Sequence, residues 1–191
     1  MRVAIVVRVG GGLLAAVEDF EAILAEIAES SVRVPLLVVP GGGPFADTVR
    51  DVDDRLSLPD DATHWMAVLA MDQYAHLIVS RLPRGKLVLR PNDIDAALDE
   101  RYVPVLAPYR WIREADPLPH SWDVTSDSIS AWVAAQVGAS RLVLVKPPGA
   151  SGPGIVDPCF TTVLKSHISV EIVTADHAKD LRTALSPARE A

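Results

Sequence analysis

Two glycine triplets, each placed just after a run of β-branched residues, constrain this chain more than any other feature. Val3 to Val7 and Val34 to Val39 read as buried strands. The chain leaves the first through Arg8, Val9 and Gly10-Gly11-Gly12, and the second through Pro40, Gly41-Gly42-Gly43 and Pro44. A helical pattern follows each turn. Strand, glycine turn and helix in that order bring backbone N–H groups and two positive helix ends to one edge of a sheet, where an anion can sit. A glycine triplet by itself is equally the signature of a tight turn without ligand. The pairing of two such units, with Thr125-Ser126-Asp127-Ser128 opening a later helix, is what points to a phosphate site.

The rest of the chain keeps the alternation of apolar runs and longer periodic segments, which predicts an α/β fold with a mainly parallel sheet covered by helices. Helices are expected over Leu14 to Ala28, Phe45 to Leu56 and, from a cap at Asp60 or Asp61, through to Arg81 with Trp65, Leu69, Leu77 and Ile78 as its apolar stripe. Short strands follow at Leu87 to Leu89 and Val103 to Leu106. Residues 104 to 119 hold Pro104, Pro108, Pro117 and Pro119 without a clear period and read as a surface excursion. Thr125 or Ser126 caps a helix that stops at Gly138, Leu142 to Val145 is a buried strand, and Lys146 to Gly154 is too rich in proline and glycine to be helical. A short helix from Pro158 to Ser166, a strand at Val170 to Val173 and a last helix capped by Thr174 complete one domain over residues 1 to 185, with 186 to 191 as a loose tail.

Composition narrows the partners. An apolar fraction of 49% with 23% charged residues supports a sizeable core. A net charge of −7 argues against nucleic acid or a membrane surface as partner, because both are bound by clustered Lys and Arg. A small anion remains compatible with it, since helix dipoles and a few cations dominate locally. Cys159 is the single cysteine, which excludes an internal disulfide and offers no metal-site spacing. The first strand is flanked by Arg2 and Arg8 and is too short for a signal-peptide core or a membrane span, so the cytoplasm is the expected compartment.

Several side chains carry two readings. Asp127 stands in the first turn of a helix, where a carboxylate favours the helix dipole, and it lies in the segment that marks the phosphate site. Asp47 and Arg50 share a helix face and can simply pair, or Arg50 can hold a phosphate bidentately. Lys146, at the C-terminal end of a strand, is either a solvated lysine or a counter-charge for phosphates bound at that edge. His64 begins the long helix in a structural role or meets a ligand, and Trp65, Met71 and Trp132 are expected in the core.

The N-terminal strand with Arg8-Val9-Gly10-Gly11-Gly12, the stretch from Pro40 to Arg50 (PGGGPFADTVR) and VTSDSISAW from Val124 to Trp132 resemble the amino acid kinase superfamily. With the segment His64 to Ala75 and WDVTSDSISAW they are most similar to its small aminomethylfuran phosphate kinases of methanofuran and methylofuran biosynthesis. The resemblance implies a three-layer α/β/α sandwich and transfer of the ATP γ-phosphoryl to a phosphate monoester. It implies ATP as nucleotide, magnesium carried by that nucleotide rather than by a protein site, and a homodimer or higher homo-oligomer.

The same resemblance assigns roles. Arg8 stands where the family has a lysine that stabilises the transferring phosphoryl group, and a guanidinium supplies that charge with a different geometry. Arg8, Asp127 and Lys146 would be catalytic, with Asp127 orienting the cations. Gly10, Gly11, Gly12, Lys146 and Gly149 would face the nucleotide. Gly41, Gly42, Gly43, Asp47, Arg50, His64, Thr125 and Ser126 would face the acceptor. Where many members carry Thr-Asp after the strand, this chain has Lys146-Pro147-Pro148-Gly149. That departure and Arg8 give the alternative implication, a kinase-fold binding or regulatory subunit that has lost phosphotransfer.

Overall fold

Parallel pairing buries both faces of a strand, and it needs long crossovers that place helices on those faces. The computed structural model, which describes residues 3 to 187, follows that rule throughout. Strands β1 (Ile5–Val9), β2 (Leu36–Pro40), β3 (Gly85–Val88), β4 (Val103–Leu106), β5 (Arg141–Lys146) and β6 (Ser169–Thr174) form one sheet in the order β3-β4-β2-β1-β5-β6. Every neighbouring pair is parallel. The central strands β1 and β2 are buried at every position.

Alternate residues of β1 serve opposite layers, as the two-residue period of a strand dictates. Ile5, Val7 and Val9 pack with Phe20, Ile23, Leu24 and Ile27 of α1 (Val17–Ser31) and with Leu181 of α8 (Ala178–Ala184). Val6 packs on the other face with Ile94, Ala97 and Leu98 of α4 (Pro91–Asp99) and with Ile129 and Val133 of α6 (Ser126–Gln136). The long α3 (Asp60–Arg81) spans the two layers, giving Tyr74 and Ile78 to the first and Val68 and Met71 to the second. The result is an α/β/α sandwich, with α2 (Gly43–Leu56), α5 (Tyr109–Ala115) and α7 (Phe160–Val163) completing the helices. No helix among the described residues is long and apolar enough to cross a membrane.

Several elements depart from the sequence expectation for identifiable reasons. The first strand lies two residues further along than expected and the second starts two later and ends one later, so Arg8 is inside β1, in register with Val39 and Leu144. Helix α4 occupies a stretch where no element was expected, and α5 lies within the supposed excursion; α5 is so short that Ile112 is its one buried residue. On α3 the buried stripe runs through Val68, Met71, Tyr74 and Ile78, while Leu69 faces outward. The N-cap of α3 is Pro59, with Asp60 and Asp61 inside the first turn. The helix expected to Ser166 ends at Val163, and a single 3-10 turn (Ala175–His177) separates Thr174 from α8. Of the expected tail, residues 188 to 191 lie outside the described part; Leu185 just before it is fully buried. Gly138, with φ 67, ends α6 as expected.

Candidate active site

Because β1 and β2 are adjacent and parallel, the two glycine turns leave the sheet side by side. Their backbones touch: a Cβ on Gly11 would lie 2.2 Å from the Gly43 nitrogen and 2.4 Å from its Cα. Gly10 N–H donates to the Val145 carbonyl (3.0 Å) and Gly41 N–H to that of Val9 (2.8 Å), so both prolong the sheet hydrogen bonding. These two glycines are structural neighbours of the site. Gly11, Gly12, Gly42 and Gly43 instead line a cavity. Gly11 opens a 3-10 turn (Gly11–Ala15) and Gly43 opens α2, positions whose N–H groups have no partner within the helix. Burial pushes the Tyr74 phenol above its ordinary range, and its hydroxyl donates to the Gly10 carbonyl at 3.1 Å. The long helix is thereby tied to the first turn.

Three buried charges meet next to these turns. Arg8 comes from β1, Lys146 from the end of β5 and Asp127 from the first turn of α6. Lys146 Nζ donates to Asp127 Oδ2 at 2.7 Å. Arg8 Nε lies 3.3 Å from Asp127 Oδ1, and its Nε and Nη2 donate to Ser126 Oγ at 3.1 and 2.7 Å. One carboxylate thus holds two cations that would otherwise repel each other. Burial, and then the nearby Arg8, lower the Lys146 pKa, while Asp127 opposes both. Asp127 Oδ1 is buried and accepts no hydrogen bond, so its attraction to Arg8 is that of an ion pair alone.

The start of α6 is fixed by Asp157, which lies on the loop after β5. Asp157 Oδ2 accepts from Thr125 N (3.0 Å), Thr125 Oγ1 (2.8 Å) and Ser128 N (3.0 Å), while Ser128 Oγ donates to Oδ1. It caps the helix from across the fold, beside the local cap in which Thr125 Oγ1 accepts from Asp127 N. No local spacing connects residue 157 to residue 125, so the sequence carries no signal for it. Asp157→Ala is expected to lower unfolding stability by about 2 kcal/mol through the loss of this cap, as measured by urea denaturation. A variant within about 0.5 kcal/mol of wild type would show that Thr125 alone suffices.

The cavity, of about 190 Å³, is bounded by Arg8, Ser126, the glycines and α3 residues Thr63, His64, Val68 and Met71. Met71, expected only in the core, is buried and also lines it. A second, more open hollow lies beyond Trp122 and Thr125, with Asp127 and Lys146 at its base and Asp157 beside them. Asp47 and Arg50 line the first cavity and pair at 2.8 Å. Gly149 is exposed (φ 72) and lines neither space, although Gly154 to Asp157 of the same loop line the second. Among the described residues no group of three or more His, Cys, Asp or Glu has metal-site geometry.

His64 and His120 stack at 4.2 Å beside the cavity. Burial, and then its neighbour His120, push His64 down to about 4. Hydrogen bonds to Asp61 and then Asp116 raise His120 above its ordinary 6.5. The contributions have opposite signs. His120 stabilises fully below 6.5 and loses its effect as pH rises through its raised folded value, whereas His64 costs stability as pH falls from 6.5 toward about 4. His120→Asn is expected to remove the decline in thermal midpoint above pH ~6.5, read by melting across a pH series; an unchanged alkaline limb would show that the ion pairs carry no stability.

The amino acid kinase family model matches residues 4 to 147, a span that holds both glycine turns, the start of α6 and Lys146. The kinase of (5-(aminomethyl)furan-3-yl)methyl phosphate from Methanocaldococcus jannaschii is 24% identical over 139 residues, covering 73% of this chain. The chain spans 63% of the length of that relative. The uridylate kinase of Archaeoglobus fulgidus has a TM-score of 0.69 at 15% identity, over 97% of this chain and 95% of its own. The UMP kinase of Ureaplasma parvum reaches 0.63 at 16%, over 92% and 91%. Their fold is the same parallel sandwich, and with the family model matched from the first strand to the end of β5, the chain belongs to the amino acid kinase family.

Proposed function

We propose that the protein transfers the γ-phosphoryl group of ATP to a small phosphate monoester, most specifically an aminomethylfuran phosphate of methanofuran or methylofuran synthesis. The observation that carries this reading is the placement of the Arg8–Asp127–Lys146 cluster between two spaces. Arg8 and Ser126 border the cavity beside the glycine turns, and Asp127 and Lys146 border the more open hollow. A phosphoryl group passing from one space to the other meets a cation at either side.

The chemistry asked of the residues is positioning and charge stabilisation. An acceptor phosphate is already ionised, so no general base is needed. The glycine-turn amides of Gly11, Gly12 and Gly43 suit phosphate oxygens, since their N–H groups are the unsatisfied ones of two helical starts. Lys146 suits the nucleotide phosphates and Arg8 the transferring group, with Asp127 holding both in place. Magnesium would enter on the nucleotide. The cavity suits a single-ring acceptor with an apolar flank on Val68 and Met71, which matches the named substrate of the archaeal relative.

Calorimetric titration of Mg-ATP, followed by an ADP-release assay with (5-(aminomethyl)furan-3-yl)methyl phosphate, tests this. Saturable ATP binding with acceptor-dependent ADP release is the expected result. Absence of ATP binding would overturn it in favour of the binding-subunit reading, which Arg8 and the contact of Pro147 with Gly12 would then explain.

A further inference from the structure

Trp122 lines both spaces, the cavity beside the glycine turns and the more open hollow, and among the described residues Thr125 is the one other to do so. Its indole Nε1 donates to Asp53 Oδ2 at 2.8 Å. Asp53 is itself fixed, because its Oδ1 accepts the Leu58 N–H at 2.9 Å just past the end of α2. Arg50 lies over the ring with its Cζ 4.7 Å from the centroid, a cation–π distance, and Asp47 holds Arg50 in turn at 2.8 Å. Three charged residues of one helix therefore orient a single aromatic ring that stands outside the hydrophobic core. Neither the fold nor the capping of α6 requires that investment of side chains.

Resting on the kinase reading above, we infer that Trp122 is the specificity-determining wall of the acceptor cavity, with Asp53 and Arg50 as its positioning residues. The ring partitions the acceptor space from the nucleotide space and sets the size of the planar group that fits beside the phosphate. Removing it merges the cavity with the hollow behind it, so a larger phosphate monoester gains room while a small one loses a contact surface. The pairing of Asp47 with Arg50 acquires a role in this picture: it aims a guanidinium at the ring face, in place of binding phosphate directly. Arg50 is half-exposed and already paired, which suits an orienting role.

The test compares wild type, Trp122→Ala, Trp122→Phe and Asp53→Asn in the ADP-release assay. The acceptors are (5-(aminomethyl)furan-3-yl)methyl phosphate and UMP, a phosphate monoester with a larger body. The ratio of kcat/KM between the two acceptors is expected to fall by about tenfold or more in Trp122→Ala, a loss on the scale of one aromatic contact. The change should appear in the acceptor KM, with the KM for ATP within about twofold of wild type. Trp122→Phe keeps an aromatic wall without the indole N–H and should fall between the two, and Asp53→Asn should raise the acceptor KM more than it lowers kcat. An unchanged acceptor ratio in a Trp122→Ala protein that still turns over overturns the inference while leaving the kinase reading intact. So does a variant whose ATP KM moves as much as its acceptor KM. A wild type that releases ADP with neither acceptor overturns both.

Discussion

Asp127→Ala is expected to lose about 10²- to 10³-fold in kcat for ADP release and roughly 3 kcal/mol of stability. The reason is the same for both. Arg8 and Lys146 are each about nine-tenths buried, and the carboxylate of Asp127 contacts both, at 3.3 and 2.7 Å. With it gone, two like charges face each other in a site of low polarity. Lys146, already lowered by burial and by Arg8, then loses the group that opposes the shift and loses its proton more readily, which would remove the counter-charge that the proposed transfer uses. Asp127→Asn keeps the volume and one acceptor and should recover part of the stability but little of the rate. Urea unfolding together with initial rates separates the two effects. A variant with wild-type kcat would exclude Asp127 from the transfer step.

Gly11→Ala should be nearly as damaging without altering any charge. The added methyl carbon would overlap the backbone of Gly43, where no side-chain rotation can relieve it. The two turns must separate, at a cost of about 3 kcal/mol, and the N–H groups at the start of α2 move away from those after β1. Mg-ATP binding by calorimetry is expected to vanish. Gly149→Ala is the control: nothing lies within 4 Å of its added carbon, so only the strain of φ 72 applies, about 1 kcal/mol. Equal effects of the two substitutions would show that packing of the turns does not govern the site.

Much of this architecture was legible from local pattern. The strands entering the glycine turns, the three long helices and the stop at Gly138 all follow from β-branched runs, periodicity and turn chemistry, and they appear within two or three residues of expectation. The neighbouring positions of Arg8, Asp127 and Lys146 follow from parallel strands ending on one edge, together with the family resemblance. The remainder depends on tertiary placement. Helices α4 and α5 are short, and their few apolar residues fit no longer stripe. Asp157 reaches the start of α6 only because the loop after β5 folds back, and Trp122 acquires meaning only beside Asp53. Gly10 and Gly41 show the converse: their spacing suits a ligand, yet their N–H groups complete the sheet.

The cap that Asp157 places on α6 also bears on how the proposed nucleotide site would receive its ligand. The segment 147 to 156 leaves the sheet at Lys146, whose ammonium is held by Asp127, and returns at Asp157, whose carboxylate is locked to Thr125 and Ser128. Its ends are brought together when the protein folds, so the entropy of closing that loop is lost then and not when a ligand arrives. Between those two fixed points the chain turns at Gly152 and Gly154, both with positive φ. Under the kinase reading, the charges that border the open hollow would therefore meet phosphates in the positions the fold has already given them.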